Sequence, residues 1–193
     1  MKRCGACIGV LALSASAALA QSGSDADFGK LMALFHERQR SHVSFTETHQ
    51  MAMLKQPLTS SGELFYEAPA RLEKRTLAPK AETLILDHEV LTARRGKHER
   101  QVALDVYPQA VPFVESMRAT LAGDAAALER YFSVQFSGSL ASWELRLTPR
   151  DASLAQSVAK VTLSGEQAAI RAVEIRERDG DRSLISIGPE IPP

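Results

Sequence analysis

Histidine, serine and carboxylate side chains are the groups in this chain that could do chemistry, and their spacing limits what that chemistry could be. The five histidines are His36, His42, His49, His88 and His98. None stands in an H-x-H or H-E-x-x-H arrangement, so a metal site would need ligands distant in sequence. No G-x-S-x-G run presents a serine nucleophile, and no glycine-rich loop is built to cradle phosphate. The DGDR run at 179–182 lacks the longer ligand array that calcium needs and reads as a charged hairpin tip. Carboxylates mostly sit beside cations, as in Glu73-Lys74, Glu99-Arg100, Glu174 with Arg176, and Asp181-Arg182. Exposed pairs of this kind describe a solvated face and add little stability. The expectation is no catalytic residue, no metal and no cofactor. A hydrolase acting on envelope lipid or glycan is the residual alternative, with His49 and His88 the histidines to test.

Cysteine chemistry is limited by position. Cys4 and Cys7 fall within a segment that begins with Lys2 and Arg3, continues as an apolar run from Ile8 to Ala20, and ends in Ala18-Leu19-Ala20. Charge, apolar core and small-x-small ending are those of a cleaved secretory signal peptide over residues 1–20, too short in its apolar part to span a bilayer. The expected mature unit is a single domain over residues 21–193, exported to the periplasm and free of cysteine. Its stability must then come from a packed core and not from disulfides. Loss of Lys2 and Arg3 lowers the 23 basic residues to 21 against 23 acidic ones. A mildly acidic chain does not offer a strongly basic surface to nucleic acid.

The elements follow from periodicity. Phe28, Leu31, Met32 and Phe35 fall at helical spacing, predicting a helix over roughly 27–40 that Asp25 or Asp27 could cap. Strict alternation then predicts a strand in VSFTETHQM, with Val43, Phe45 and Glu47 on one side. Extended pieces follow in GELFYE, RLEKRTL, ETLILD, EVLTARR and RQVALDVY. Helical spacing returns with Val111, Val114, Met117 and Leu121. Gly123 is placed to stop that helix, and Asp124 to cap a short one carrying Leu128, Tyr131 and Phe132. SWELRLTP turns Trp143, Leu145 and Leu147 inward, and three more strands close the chain, the last two joined at Asp179-Gly180. Helix, many strands, a helical interruption and strands again give no βαβ alternation. The predicted class is α+β, mostly antiparallel β: an open, incomplete, curved β-barrel with helices covering its mouth. A closed sandwich with a dry core satisfies the same pattern.

Leu64-Phe65-Tyr66 and Leu84-Ile85-Leu86 distinguish these possibilities only in part. Neighbouring strand residues point to opposite faces, so each run offers apolar groups to both sides of its sheet. A concave wall of such side chains holds hydrocarbon without directional chemistry, at about 0.8 kcal/mol per methylene.

VSFTETH, SSGELFYEAPARLEK, ETLILDHEVL, LAGDAAALERYFSV, SWELRLTPRD and EIRERDGDRSLISI together resemble, in order and spacing, the outer-membrane lipoprotein carrier (LolA) family, over nearly the whole mature chain. The resemblance implies an eleven-stranded open barrel with a helical lid over an apolar cavity. It also implies a periplasmic monomer that takes acylated lipoprotein from an inner-membrane ABC transporter to an outer-membrane receptor. Leu64, Tyr66 and Ala68 match the family's concave face, Leu84 and Leu86 the next strand, and Phe113, Met117 and Leu121 a lid helix. With the inward-pointing Phe45, Trp143 and Leu145 they form the expected lipid-binding set. The family's lid arginine before the strand-ending proline is Ala68 here, and the aromatic after the central strand is missing from DHEVLTA. A divergent branch is implied, its lid less favoured when closed or held in another way. Its cargo would be a lipoprotein or another lipid-like molecule, and an accessory role in aryl-polyene or glycolipid export is an alternative. A lipid-responsive envelope sensor of the same fold is the second reading.

Overall fold

The computed structural model describes the backbone of residues 16–106, 111–150 and 152–192, and side chains from residue 26 onward except 111–113, 115 and 116 within the second helix. Eleven strands form one antiparallel sheet: β1 Arg40–Gln50, β2 Leu58–Glu67, β3 Arg71–Ala78, β4 Glu82–Asp87, β5 Val90–Arg95, β6 His98–Ala103, β7 Phe132–Ser139, β8 Ser142–Pro149, β9 Val158–Glu166, β10 Ala169–Glu177 and β11 Arg182–Glu190. Their lateral order is β6-β5-β4-β3-β2-β1-β11-β10-β9-β8-β7. Each strand pairs with its sequence neighbour except where β1 joins β11, which links the two halves. The sheet is curved and unclosed, with β6 and β7 as its edges. This is the predicted α+β open barrel.

Among the described residues four helices accompany the sheet: α1 Ser16–Glu37, α2 Val111–Leu121, α3 Ala125–Tyr131 and α4 Leu154–Ser157. No helix among the described residues is long and apolar enough to cross a membrane. Helix α1 starts before the expected processing point at Ala20 and stops at Glu37, three residues short of the predicted end, because Arg40 already pairs in β1. Its apolar face is the predicted one. Leu31, Met32 and Phe35 are buried, and the Phe35 ring meets Trp143 edge-on at 5.8 Å between centroids.

Helices α2 and α3 are joined where the sequence places Gly123. Gly123 N–H donates to the Thr120 carbonyl at 3.1 Å and Asp124 N–H to the Ala119 carbonyl at 2.8 Å, which closes the α2 terminus around a residue with φ of 69°. A Cβ here would come within 2.1 Å of the Met32 carbonyl oxygen, so only glycine lets α2 approach α1 this closely. The Asp124 side chain accepts from Ala127 N–H at 2.9 Å, the predicted cap of α3.

Three elements differ from the reading by pattern, the short helix α4 among them. FSVQFSGS forms strand β7 directly after α3, although its serine and glycine content weakens any strand signal. After Ala103 the alternation of RQVALDVY breaks into a 3₁₀ turn at Leu104–Val106, because Leu104 is buried and its N–H is held by the Glu89 carbonyl at 2.7 Å.

The core lies on one side of the concave face. Leu31, Met32 and Phe35 of α1 and Leu128 of α3 join Trp143 and Leu145 in a buried cluster that continues along β8 to β10 through Leu147, Val161, Leu163 and Val173. Helix α1 packs chiefly against β7 and α2, with Phe35 reaching Trp143 of β8.

Candidate acyl-chain cavity

Register puts one set of side chains on the concave face. Val43 stands opposite Leu64, and Ser41 opposite Tyr66. Tyr66 faces Leu72, Leu72 faces Leu86, and Leu86 faces Leu91 across β2 to β5. On the other half Ile185 faces Val173, and Val173 faces Leu163. Between these walls lies a cavity of about 410 Å³, roofed by Met117, Thr120 and Leu121 of α2. That volume falls within the usual range for small-molecule sites, roughly 300–1,000 Å³.

Of the sequence-predicted lining set, Leu64, Tyr66, Leu84, Leu86, Met117 and Leu121 line this cavity. Phe45, Trp143, Leu145 and Ala68 do not. Phe45 is buried opposite Gly62 and Ile187, with the Lys74 ammonium 5.1 Å from its ring centroid, so it forms floor beneath the hollow. Trp143 and Leu145 are 2% and 0% exposed under α1. The Trp143 indole N–H donates to the Gln167 carbonyl at 2.9 Å, fixing it as core. Ala68 lies beyond the end of β2, where its N–H donates to the Gln39 carbonyl at 2.9 Å. The Phe113 side chain lies outside the described residues. Alternation identified the inward face correctly for Phe45, Trp143 and Leu145 but could not say which part of that face a helix fills. The liners Leu72, Leu91, Ile185 and Ile187 share the same alternation and could have been read from it.

The outward-turned Phe65 is covered by polar side chains. Phe65 stacks on His42 at 4.1 Å between centroids, and the Arg75 guanidinium lies 4.6 Å from its ring centre.

Charge in the wall is paired. Lys74 forms an ion pair with Glu47, which also accepts from the Ser60 hydroxyl at 3.3 Å. Arg38 pairs with Glu190 at 3.4 Å, and Arg171 with Glu166 at 2.6 Å. Tyr66 differs. It is 5% exposed, its hydroxyl has no hydrogen-bond partner among the described residues, and burial raises its pKa, which keeps the phenol neutral.

Helix α2 is tied down at both sides without an arginine at position 68. Arg118 donates to the His88 carbonyl at 2.8 Å, and the His36 ring nitrogen donates to the Ala122 carbonyl at 3.1 Å. Arg71 pairs instead with Asp87 at 3.2 Å and Glu73 at 3.4 Å. His49 approaches the Ser183 hydroxyl at 2.6 Å and Asp181 at 3.7 Å. Ser183 is 6% exposed and outside the cavity lining, so a substrate carbonyl has no room to reach it. No group of three or more His, Cys, Asp or Glu among the described residues is placed to hold a metal.

A partly filled antiparallel half-barrel, hollow and apolar under a tethered helix, is the architecture of a binding protein for apolar molecules. The profile of the family described as outer membrane lipoprotein carrier protein LolA-like matches residues 18–188, and the chain belongs to that family. Among solved structures it is similar to a LolA superfamily protein from Nitrosomonas europaea, at 8% identity and a TM-score of 0.49 over 87% of this chain and 92% of that one. It is also similar to the lipoprotein LppX of Mycobacterium tuberculosis, at 9% identity and a TM-score of 0.49 over 87% and 94% of the two chains. A chain of the MucA/MucB complex of Pseudomonas aeruginosa matches at 14% identity and a TM-score of 0.44, over 89% of this chain and 59% of that one. No curated protein sequence matches the chain.

Proposed function

We propose that this protein is a periplasmic carrier that takes acyl chains of a lipoprotein or lipid-like cargo into its cavity and shuttles them toward the outer membrane. The observation that carries this reading is the uneven filling of one apolar face. Helix α1 fills the concave face around Trp143 and Leu145, while Leu64, Tyr66, Leu84 and Leu86 on one half and Leu163, Val173 and Ile185 on the other front a hollow. Burying about eight methylenes there gains roughly 6 kcal/mol, enough to hold a chain and still release it. Membership of the LolA-like family supports a carrier, and on that footing an inner-membrane ABC transporter would load it and an outer-membrane receptor unload it. Residues 1–20 would be removed on export, leaving 21–193 as one monomeric domain.

Delipidated protein should bind a fluorescent fatty-acid probe and pass it to acceptor vesicles. Absence of binding overturns the carrier reading. Binding without transfer to membranes or to a receptor replaces it with the sensor reading, in which lipid occupancy is reported to an envelope partner.

A further inference from the structure

Four of the seven large apolar side chains exposed among the described residues gather at one end of the sheet. Met53, Leu54 and Leu58 stand in and beside the β1–β2 turn, and Leu77 beside the β3–β4 turn. Met53 is 94% exposed. The antiparallel order β6-β5-β4-β3-β2-β1 brings the β1–β2, β3–β4 and β5–β6 turns to the same end, each two strand spacings, about 10 Å, from the next. Each turn carries one exposed lysine, namely Lys55, Lys80 and Lys97, and none of these forms an ion pair among the described residues. No Asp or Glu occurs from Thr48 to Gly62, from Leu77 to Ala81 or from Gly96 to His98. The flanking carboxylates are taken, Glu82 by Arg95 at 2.8 Å and Glu99 by Arg94. On the neighbouring β10–β11 turn, Asp181 accepts from Ala52 N–H at 2.8 Å and Asp179 from Asp181 N–H at 3.0 Å. Unpaired positive charge therefore lies on the β1–β6 side, bordered by that acidic turn.

We propose that this end of the sheet is a docking surface for an anionic lipid bilayer, into whose headgroup layer the apolar turns dip. The three lysines complement lipid phosphate, while Met53, Leu54, Leu58 and Leu77 gain by leaving water for the acyl boundary. A protein partner fits these features less well. A standard interface covers roughly 800 Å² of continuous surface on each partner, far more than four side chains on two hairpins supply. A fluid headgroup layer closes around separate tips. Contact through so few groups is also weak enough to be reversible. None of these seven residues lines the acyl-chain cavity, so docking is a function apart from cargo binding and does not depend on the carrier reading.

Protein recovered from the periplasm after export should be floated with vesicles of phosphatidylethanolamine containing about 30% phosphatidylglycerol, and with vesicles of phosphatidylcholine. Wild type should bind the anionic vesicles about tenfold or more tightly than the neutral ones, and lose that preference in about 0.5 M salt. Met53→Ser combined with Leu54→Ser should weaken binding by about tenfold or more, and so should Lys55→Gln, Lys80→Gln and Lys97→Gln together. All five positions are exposed, so melting temperature and fatty-acid probe binding should stay at wild-type values. Brominated acyl chains should quench the emission of Met53→Trp and leave that of buried Trp143 unchanged. The inference is overturned by a wild type that does not bind anionic vesicles, by equal binding of wild type and both variants, or by Met53→Trp emission insensitive to bromine. Binding that needs the apolar turns but occurs only on whole envelope membranes, and not on protein-free vesicles of their lipid, also overturns it and gives the surface to a membrane protein. Loss of probe binding with vesicle docking intact would overturn the carrier reading and leave the docking surface standing.

Discussion

Tyr66→Glu tests at a single side chain whether the hollow is a hydrocarbon site. A carboxylate at this 5% exposed position must either stay charged among Leu64, Leu72 and Leu86 or take up a proton, and both oppose apolar occupancy. Affinity for a fatty-acid probe should fall by about tenfold or more, the equivalent of about 1.4 kcal/mol, with far-ultraviolet circular dichroism unchanged. Equal binding in a folded variant would place Tyr66 away from the guest. At this scale the sequence was readable as to face and silent as to depth. Two-residue periodicity separates Tyr66 from Phe65 without reference to the rest of the fold. Whether an inward residue meets a helix or a void depends on where α1 lands, which no local spacing encodes; hence Trp143 belongs to the core and Leu64 to the cavity, though both obey the same rule.

Among elements, the α1–α2 junction is the most constrained. Gly123→Ala forces a Cβ to within 2.1 Å of the Met32 carbonyl at a φ of 69°, so the helices must separate or the cap must open. The expected cost is about 2 kcal/mol, read as a fall in melting temperature of roughly 4–8 °C. An unchanged melting temperature would show that the junction is slack. The glycine and the Asp124 cap were legible because their roles are local. Strand β7 was not, because Ser133, Gln135 and Ser137 carry little strand preference and are held by pairing with β8. The tethers from Arg118 to His88 and from His36 to Ala122 were equally invisible, since each joins groups far apart in the chain. They supply for α2 the fastening that the absence of an arginine at position 68 had left open.

For the molecule as a whole, acid should weaken the sheet where Glu174 of β10 is held by Arg176 and Arg182. Burial raises the Glu174 pKa, but Arg176 and Arg182 outweigh it and hold the carboxyl below its ordinary value. A lowered folded-state pKa means that this contribution is complete above the unfolded carboxylate range, near about 4.3, and is lost as pH falls through the folded value. Glu174→Gln should therefore flatten the acid limb of a stability–pH curve and leave its neutral-to-alkaline part parallel to wild type. An acid limb as steep as that of the parent would assign the dependence to other carboxylates. The global architecture was largely legible, because element order excluded βαβ winding and alternation exposed most strands. The pairing of β1 with β11 gave the remainder: it is a contact between the two ends of the chain that only the assembled sheet displays.

The free edges of the sheet have a mechanical consequence. A sealed barrel has a fixed circumference, set by its ladder of strand pairs, and can widen only by breaking one. Here β6 and β7 are not bonded to each other, so the girth can grow as the margins spread, with every existing pair intact. Guests of different bulk could thus be admitted by flexing of the wall alone, at the expense of bending and not of hydrogen bonds.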